Sequence, residues 1–196
     1  MPGAAMPPFV AAVPLAKAYR LMNHGPTVLV SAGHGDSVNV MAAAWAMPLD
    51  FDPPKVTVVI DKATRTRELV EASGVFALSV PCVGFARQTL AVGTDSARTL
   101  PDKLARHAIA TFNSGHEGAP LVDGCIAWLA CRVLPEPGNQ ARHDLFIAEV
   151  LGAWADTRVF ADGHWHFDEA PDDLRTLHYV AGGQFYVIGR SLTVGK

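Results

Sequence analysis

The stretch that decides the fold runs from residue 39 to residue 60 and reads NVMAAAWAMPLDFDPPKVTVVI. It begins like a strand, passes a single tryptophan, Trp45, among small alanines, and reaches two adjacent prolines. The β-branched run after the prolines predicts a buried strand. Because each proline ring fixes φ and favours an extended residue before it, the prolines set the direction in which that strand begins.

The composition is typical of one folded domain. The chain has 196 residues, of which 49% are hydrophobic and 18% are charged, which is enough for a proper core. The formal net charge is −3 and no basic stripe is present, so a nucleic-acid partner is not expected. The apolar runs are far too short to cross a membrane.

Residues 1–20 are predicted to form an N-terminal arm and residues 21–196 the domain itself. The arm lacks the basic start of a secretory signal, and prolines interrupt its apolar stretch. We expect the arm to pack on the body or to wrap a partner subunit, with disorder as the alternative. Cys82, Cys125 and Cys131 form no CxxC pair, which predicts reduced thiols and a cytoplasmic location.

Strand patterns dominate the rest of the chain, and hairpins join most of them. TVLVSA and VNVMAAAWAM flank the turn GHGD and predict a hairpin. Further strands are predicted at VFALSVP, GCIAWLACRVL, HDLFIAEVLGAWAD and GGQFYVIG, with a turn around PEPGNQ and a small hairpin at RVFADGHWHF. Helices are predicted at PLAKAYRLMNHG, TRTRELVEASG, GFARQTLAVG and PDKLARHAIATF. This order favours an antiparallel barrel with peripheral helices over a parallel doubly wound sheet.

Two sequence features bear on ligands of different kinds. His164 and His166 share a strand face, but no third ligand is nearby, so no metal site is predicted. Lys62, Arg65 and Arg67 alternate with threonines where the strand KVTVVI meets the next helix. Cations, hydroxyls and the free N–H groups of a helix N-terminus favour phosphate. An ordinary capped helix with surface charge is the alternative.

The alanines around Trp45 leave room for a planar ligand against the backbone. Backbone N–H groups near Ala44, Trp45 and Ala46 would then donate hydrogen bonds to that ligand. Asn39 adds an amide donor and acceptor. A flat apolar ring with a phosphate tail would suit this wall and the helix start together. The alternative for Trp45 is an ordinary core tryptophan.

These segments, together with HDLFIAEV and LHYVAGGQFYVIG, resemble the flavin reductase-like family that includes flavoredoxin. The resemblance extends from about Met22 to Gly189. It implies a mainly β fold with peripheral helices, an antiparallel Greek-key split β-barrel that binds FMN. It also implies a homodimer with flavin near the subunit interface, and reduction of flavin by NADH or NADPH or electron transfer through bound FMN.

The resemblance assigns roles to individual positions. Asn39 and Trp45 match the segment along the isoalloxazine ring of the flavin. Thr66, with Arg65 and Lys62 close by, matches the region that holds the phosphate.

Later segments supply further candidates. Lys103 matches a cation in the helical insertion that helps to hold the flavin. Tyr179 and Phe185, followed by Tyr186, belong to the aromatic C-terminal segment that comes close to the flavin. His143 matches a histidine near the active site and is the candidate catalytic residue, with a structural histidine as the alternative.

Three positions depart from the family pattern. Arg65 replaces a common histidine, Ser79 replaces an asparagine of the cofactor wall, and Ala148 replaces a glycine. These departures leave open whether FMN is held tightly or exchanged as a substrate.

The resemblance therefore predicts an FMN-dependent NAD(P)H:flavin oxidoreductase, with a monooxygenase as a possible electron-accepting partner. Hydride transfer between stacked rings requires no strong acid or base, so the protein supplies a slot and hydrogen-bond donors. His143 would orient the nicotinamide or carry a proton. The alternatives are a non-enzymatic FMN electron-transfer protein and a barrel that has lost flavin and acts as a binding module.

Overall fold

The structure is a computed structural model, and it describes residues 5–195 of the chain. Strands account for most of its regular structure. In chain order they are β1 (Val10–Ala12), β2 (Val28–His34), β3 (Ser37–Ala43), β4 (Ala46–Phe51), β5 (Pro54–Val59), β6 (Val75–Pro81), β7 (Thr111–Phe112), β8 (Leu121–Val122), β9 (Cys125–Leu134), β10 (Leu145–Asp156), β11 (Phe160–Ala161), β12 (His164–Trp165), β13 (Leu177–Ala181) and β14 (Gln184–Val187).

The helices are short and lie between the strands. The α-helices are α1 (Arg65–Ser73), α2 (Ala86–Thr94), α3 (Lys103–Arg106) and α4 (Pro137–His143), and the 3₁₀ helices are Leu15–Leu21, Val83–Phe85 and Asp172–Leu174.

Two sequence predictions about helices were wrong. PEPGNQ forms the start of α4 instead of a turn, because Pro137 stands at its N-terminal position, where a proline is tolerated. PDKLARHAIATF is helical only in α3, since Ala108 takes a left-handed φ of 51°, and the chain then enters β7.

The main sheet contains eight strands, and all its pairs are antiparallel. The strand order is β3-β2-β6-β9-β10-β5-β4, and β1 also pairs with β10. β3 and β4 stand at opposite ends of this order, yet only Ala44 and Trp45 separate them in the chain. The sheet must therefore curl until its two ends meet, which confirms the predicted antiparallel split barrel.

The barrel is split along one edge of β10. The first residues of β10, from Leu145 to Glu149, pair with β5. The last residues of β10, from Trp154 to Asp156, pair with β1 instead. β1 belongs to the predicted N-terminal arm, of which residues 1–4 lie outside the described residues. The described part of the arm packs on its own subunit, and the 3₁₀ helix after β1 buries Ala18 and Leu21.

The barrel interior is apolar and contains the free cysteines. Trp128 is fully buried at the centre of β9, and its indole N–H donates to the Val122 carbonyl at 2.8 Å. Cys82, Cys125 and Cys131 are buried and unpaired with one another. Burial raises the pKa of all three thiols, so they behave as small apolar side chains.

Helix α1 begins and ends as its sequence predicts. The Thr64 hydroxyl accepts a hydrogen bond from the Arg67 N–H at 3.2 Å, and Gly74 ends the helix with φ 72°. α1 packs against β2 and β3. Its first turn therefore lies close to the strand that leads to Trp45.

Arg67 points from α1 into the body of the protein and is only 6% exposed. Its guanidinium donates to the carbonyls of Ile60 at 2.9 Å and Gln140 at 3.1 Å, and to the Asp144 carboxylate at 3.1 Å. It also lies over the Phe146 ring, 4.6 Å from the centroid. One cation thus joins α1 to the end of β5, to α4 and to the start of β10.

Replacing Arg67 with methionine should destabilise the protein by about 3–5 kcal/mol. The substitution keeps side-chain bulk but leaves the Asp144 carboxylate and two carbonyls without their donor. Arg65→Met, two residues away on the exposed face, should cost less than about 1 kcal/mol. Urea unfolding of both variants measures the difference in the free energy of unfolding. An equal decrease in the two variants would show that the Arg67 contacts do not stabilise the fold more than the exposed ion pair of Arg65 does.

Candidate functional site

A cleft of about 440 Å³ lies at the seam where the two ends of the barrel meet. Residues from β3, the Ala44–Trp45 link, β5, α2 and the hairpin β13–β14 line it. It brings together four of the predicted cofactor-binding residues, which are Ala44, Trp45, Tyr179 and Phe185. Ala44 and Trp45 are far in the chain from Tyr179 and Phe185, and the fold brings the two pairs together at the cleft.

The Ala44–Trp45 link forms the wall predicted for a planar ligand. Trp45 is 75% exposed, so the alternative of a core tryptophan is wrong. The Trp45 carbonyl accepts a hydrogen bond from the Val59 N–H at 3.0 Å, which fixes the link to β5. Within residues 5–195, the N–H groups of Ala44 and Trp45 donate no hydrogen bond. Two backbone donors are therefore available at the cleft.

Helix α2 supplies the opposite side of the cleft through Thr89, Leu90, Gly93 and Thr94. A Cβ atom on Gly93 would stand 3.1 Å from the Cβ atom of Ala42 on β3. Since that separation is tighter than ordinary van der Waals contact, the helix approaches the strand closely only because both residues are small.

The C-terminal hairpin β13–β14 covers one end of the cleft with Tyr179, Val180 and Phe185. Thr27 anchors it twice: its N–H donates to the Leu177 carbonyl at 2.8 Å, and its hydroxyl accepts from the Tyr179 N–H at 2.8 Å. Tyr186, the third aromatic residue of this segment, is exposed and does not line the cleft.

The start of α1 holds the residues predicted to bind phosphate. Asn39 and Thr66 are buried, and the Asn39 Nδ2 donates to the Thr66 Oγ1 at 2.9 Å. The Asn39 Oδ1 is buried without a hydrogen-bond partner among the described residues. Arg65 and Lys62 lie nearer the surface, and Arg65 forms an ion pair with Glu68. Arg67, by contrast, is fully engaged inside the protein and is not part of this surface.

None of the other eight candidates lines the cleft. Asn39, Lys62, Arg65 and Thr66 lie at or beside the start of α1, and the other four lie elsewhere. Ser79 is buried, and its hydroxyl accepts from the Val122 N–H at 3.2 Å. The Lys103 Nζ donates to the carbonyls of Val92 and Asp95 at the end of α2. Burial lowers the pKa of this amine, against the raising effect of Asp95.

The remaining two candidates lie at the ends of other elements. His143 is exposed in the last turn of α4, and Ala46 begins β4 opposite Val58; neither lines the cleft.

Sequence reasoning missed two polar residues near the cleft. Asp61 lines it directly after β5. Arg98 reaches the start of α1, where its Nε donates to the Ala63 carbonyl at 3.0 Å and its guanidinium pairs with Glu68. Asp61 adjoins the quoted strand and was within reach of sequence reasoning. Arg98 comes from a loop whose position no local pattern predicts.

The two histidines of the HWH motif contact different groups. His164 contacts the Arg20 guanidinium, and His166 lies 3.3 Å from the Ala161 carbonyl. Across the described part of the chain, no group of three histidine, cysteine or acidic side chains is arranged to hold a metal ion. In the same part, no helix is long and apolar enough to span a membrane.

The family comparison decides what kind of protein this is. The model of the flavin reductase like domain matches residues 19–181. The chain belongs to this family. Among known proteins, it is 44% identical over 186 residues to the uncharacterized protein YddH of Escherichia coli (strain K12), covering 93% of this chain and 97% of that one. It is 25% identical over 150 residues to the FMN reductase (NADH) RutF of Ancylobacter novellus, covering 76% and 79% of the two chains.

Solved structures of flavin reductase-like proteins share the fold. An FMN-binding domain of a flavin reductases-like enzyme from Shewanella baltica OS155 is 58% identical, with a TM-score of 0.93 over 95% of this chain and 97% of that chain. Flavoredoxin of Desulfovibrio vulgaris (Miyazaki F) is 26% identical, with a TM-score of 0.72 over 87% and 90%. The predicted family and fold are confirmed.

His24 links the N-terminal part of the chain to the hairpin that covers the cleft. Its Nε2 lies 3.1 Å from the Thr176 hydroxyl, just before β13, and its ring meets the edge of the His178 ring. Burial, with a smaller effect from His178, lowers the pKa of His24 from 6.5 to about 4.

Acid should therefore destabilise the protein through His24. Between pH 6.5 and about 4 the unfolded chain binds a proton at His24 that the folded chain does not. The free energy of unfolding should thus be unaffected above pH 6.5 and fall by up to about 3 kcal/mol as pH approaches 4. Urea unfolding at several pH values should show a flatter profile for His24→Gln. His166→Gln, at a half-buried histidine outside these contacts, controls for loss of an imidazole, and matching profiles for wild type and His24→Gln would contradict the assignment.

Proposed function

We propose that the protein is an FMN-dependent NAD(P)H:flavin oxidoreductase. The observation that carries the proposal is the pair of unused N–H groups at Ala44 and Trp45, in a cleft beside the start of α1. Donors of this kind suit the N1–C2=O edge of a flavin, which gathers negative charge on reduction. Bound FMN would supply a two-electron acceptor for hydride from a reduced nicotinamide.

The residues around the cleft fit a flavin ring at one end. Alanines and Gly93 leave its walls flat, and Trp45 stands exposed at its edge. Tyr179 and Phe185 would cover the ring and exclude water. Together these residues would orient the ring against the two free backbone donors.

The start of α1 fits a phosphate at the other end. The side-chain oxygen of the buried Asn39 has no partner among the described residues. Because the Thr66 hydroxyl can either donate or accept, the amide can also turn its Nδ2 outward toward an anion. Lys62 and Arg65, with the nearby Arg98, would add positive charge.

The finer features of the proposal concern the electron donor, the acceptor, the location and two further candidate residues. RutF of Ancylobacter novellus is named as an FMN reductase that uses NADH, which supports NADH as the electron donor. NADPH is the alternative donor. To take part in catalysis, His143 would have to reach the cleft from the end of α4. To help hold the flavin, Lys103 would have to break its hydrogen bonds to the carbonyls at the end of α2. The buried free cysteines agree with a cytoplasmic location. We retain a monooxygenase as a proposed acceptor.

Absorbance spectra test the proposal most directly. The purified protein should bind FMN and oxidise NADH or NADPH when FMN is present. FMN binding without nicotinamide oxidation would instead favour an electron-transfer protein. Failure to bind FMN would favour a binding module that has lost its flavin.

Trp45→Ala should weaken FMN about tenfold, because the flavin would lose its aromatic neighbour. The same variant should lose most of the tryptophan quenching that accompanies FMN binding. Fluorescence titration measures both effects, and Trp154→Ala provides a control because Trp154 does not line the cleft. Unchanged affinity and quenching in Trp45→Ala would place the flavin elsewhere.

We further propose a homodimer that uses β4. This strand ends the sheet order and pairs only with β5 among the described strands. Four large apolar side chains are solvent-exposed here, at Trp45 just before the strand and at Met47, Leu49 and Phe51 within it. An unpaired strand edge with this much exposed apolar surface promotes aggregation unless another chain covers it. Because Trp45 also lines the cleft, a second copy there would complete the cofactor site.

Met47→Glu should shift the protein from dimer to monomer at micromolar concentration, since it places a charge on this surface. Val38→Glu, a matched change at an exposed position of β3, should leave the dimer intact. Light scattering after gel filtration measures the mass of each. A wild-type protein that is monomeric with FMN bound would exclude the dimer.

A further inference from the structure

Asp61 stands between the two ends of the proposed flavin site. Within residues 5–195, it is the one carboxylate among the side chains that line the cleft. Val59, two residues earlier, also lines the cleft and is hydrogen-bonded to Trp45. Thr64, three residues later, caps α1. Asp61 therefore occupies the short segment that connects the ring wall with the helix start.

The turn fixes Asp61 and uses only one oxygen of its carboxylate. Oδ1 accepts the Ala63 N–H at 2.7 Å, and the backbone carbonyl accepts the Thr64 N–H at 3.0 Å and the Thr64 hydroxyl at 2.8 Å. No hydrogen bond to Oδ2 is formed by any other residue in the described range. A strong acceptor is thus held in place at the cleft without a partner.

The charge of the Asp61 carboxylate determines which ligand groups it can bind. A carboxylate at neutral pH only accepts hydrogen bonds, so it favours hydroxyl groups and disfavours a phosphate. The cleft around it is otherwise lined by apolar and uncharged side chains. Hydrogen bonds to a charged acceptor are stronger than those between neutral groups. A chain bearing several hydroxyl groups is the matching ligand segment.

We propose that Asp61 binds the hydroxyl groups of the polyol chain that joins the flavin ring to its phosphate. This inference rests on the proposed function. A flavin mononucleotide carries ring, hydroxylated chain and phosphate in that order, and the protein presents Trp45, Asp61 and the start of α1 in the same order. Asp61 would thus contribute affinity for the ribityl chain independently of the ring and of the phosphate.

Three ligands of increasing length separate these contributions. Lumiflavin has the ring alone, riboflavin adds the polyol chain, and FMN adds the phosphate. Asp61→Asn keeps a side-chain oxygen that can accept the Ala63 N–H, so the turn is retained while the charge is removed. This variant should bind riboflavin and FMN about fivefold to tenfold more weakly, and lumiflavin as tightly as wild type.

Two further variants provide controls. Asp123→Asn changes a carboxylate that also accepts a nearby backbone N–H, from Gly124 at 2.9 Å, but lies outside the cleft, and it should bind all three ligands normally. Arg65→Ala should weaken FMN while sparing riboflavin, whereas Asp61→Asn should weaken both.

The outcomes distinguish this inference from the proposed function. If wild type binds none of the flavins, the proposed function itself fails. If wild type binds FMN and Asp61→Asn loses all three ligands equally, loses none, or binds FMN more tightly, Asp61 does not recognise the polyol chain.

Discussion

The buried guanidinium of Arg67 holds together the segments on which the site depends. It binds carbonyls at Ile60 and Gln140 and the carboxylate of Asp144, so the end of β5, α4 and the start of β10 meet around one cation. Since a buried charge that loses its partners is costly, these segments cannot separate one at a time. Ile60 directly precedes Asp61, and the same contact therefore fixes the turn between the ring wall and α1.

The candidate site combines backbone hydrogen-bond donors at one end with polar side chains at the other. At the seam of the barrel, the free N–H groups of Ala44 and Trp45 provide fixed donors that need no side-chain ordering. At the start of α1, charge and hydroxyl groups supply the polar end. The proposed hydride transfer would need no acid or base at the centre of the cleft, and His143 lies exposed at the end of α4, outside the cleft.

The ends of α1 were read correctly from the sequence, whereas α4, the end of α3 and the long-range partners were not. Thr64 and Gly74 set the ends of α1 through contacts within a few residues, so the pattern predicts them. Arg65 and Arg67 look alike in the sequence, yet the geometry of α1 turns Arg67 inward and leaves Arg65 near the surface. Ser79 stands where the family has an asparagine, but its hydroxyl accepts from the Val122 N–H, 43 residues away in the chain. Such bonds depend on the closed barrel, which no local pattern contains.

The two-residue link between β3 and β4 has a consequence for how this protein can change. The same two residues close the barrel and present the backbone donors, so an insertion there would open the barrel as it widened the cleft. Ligand preference is therefore free to diverge only through α2 and the hairpin β13–β14, which touch the cleft without closing the sheet. Adaptation to a bulkier substrate would accumulate substitutions on those two elements and leave the seam unaltered.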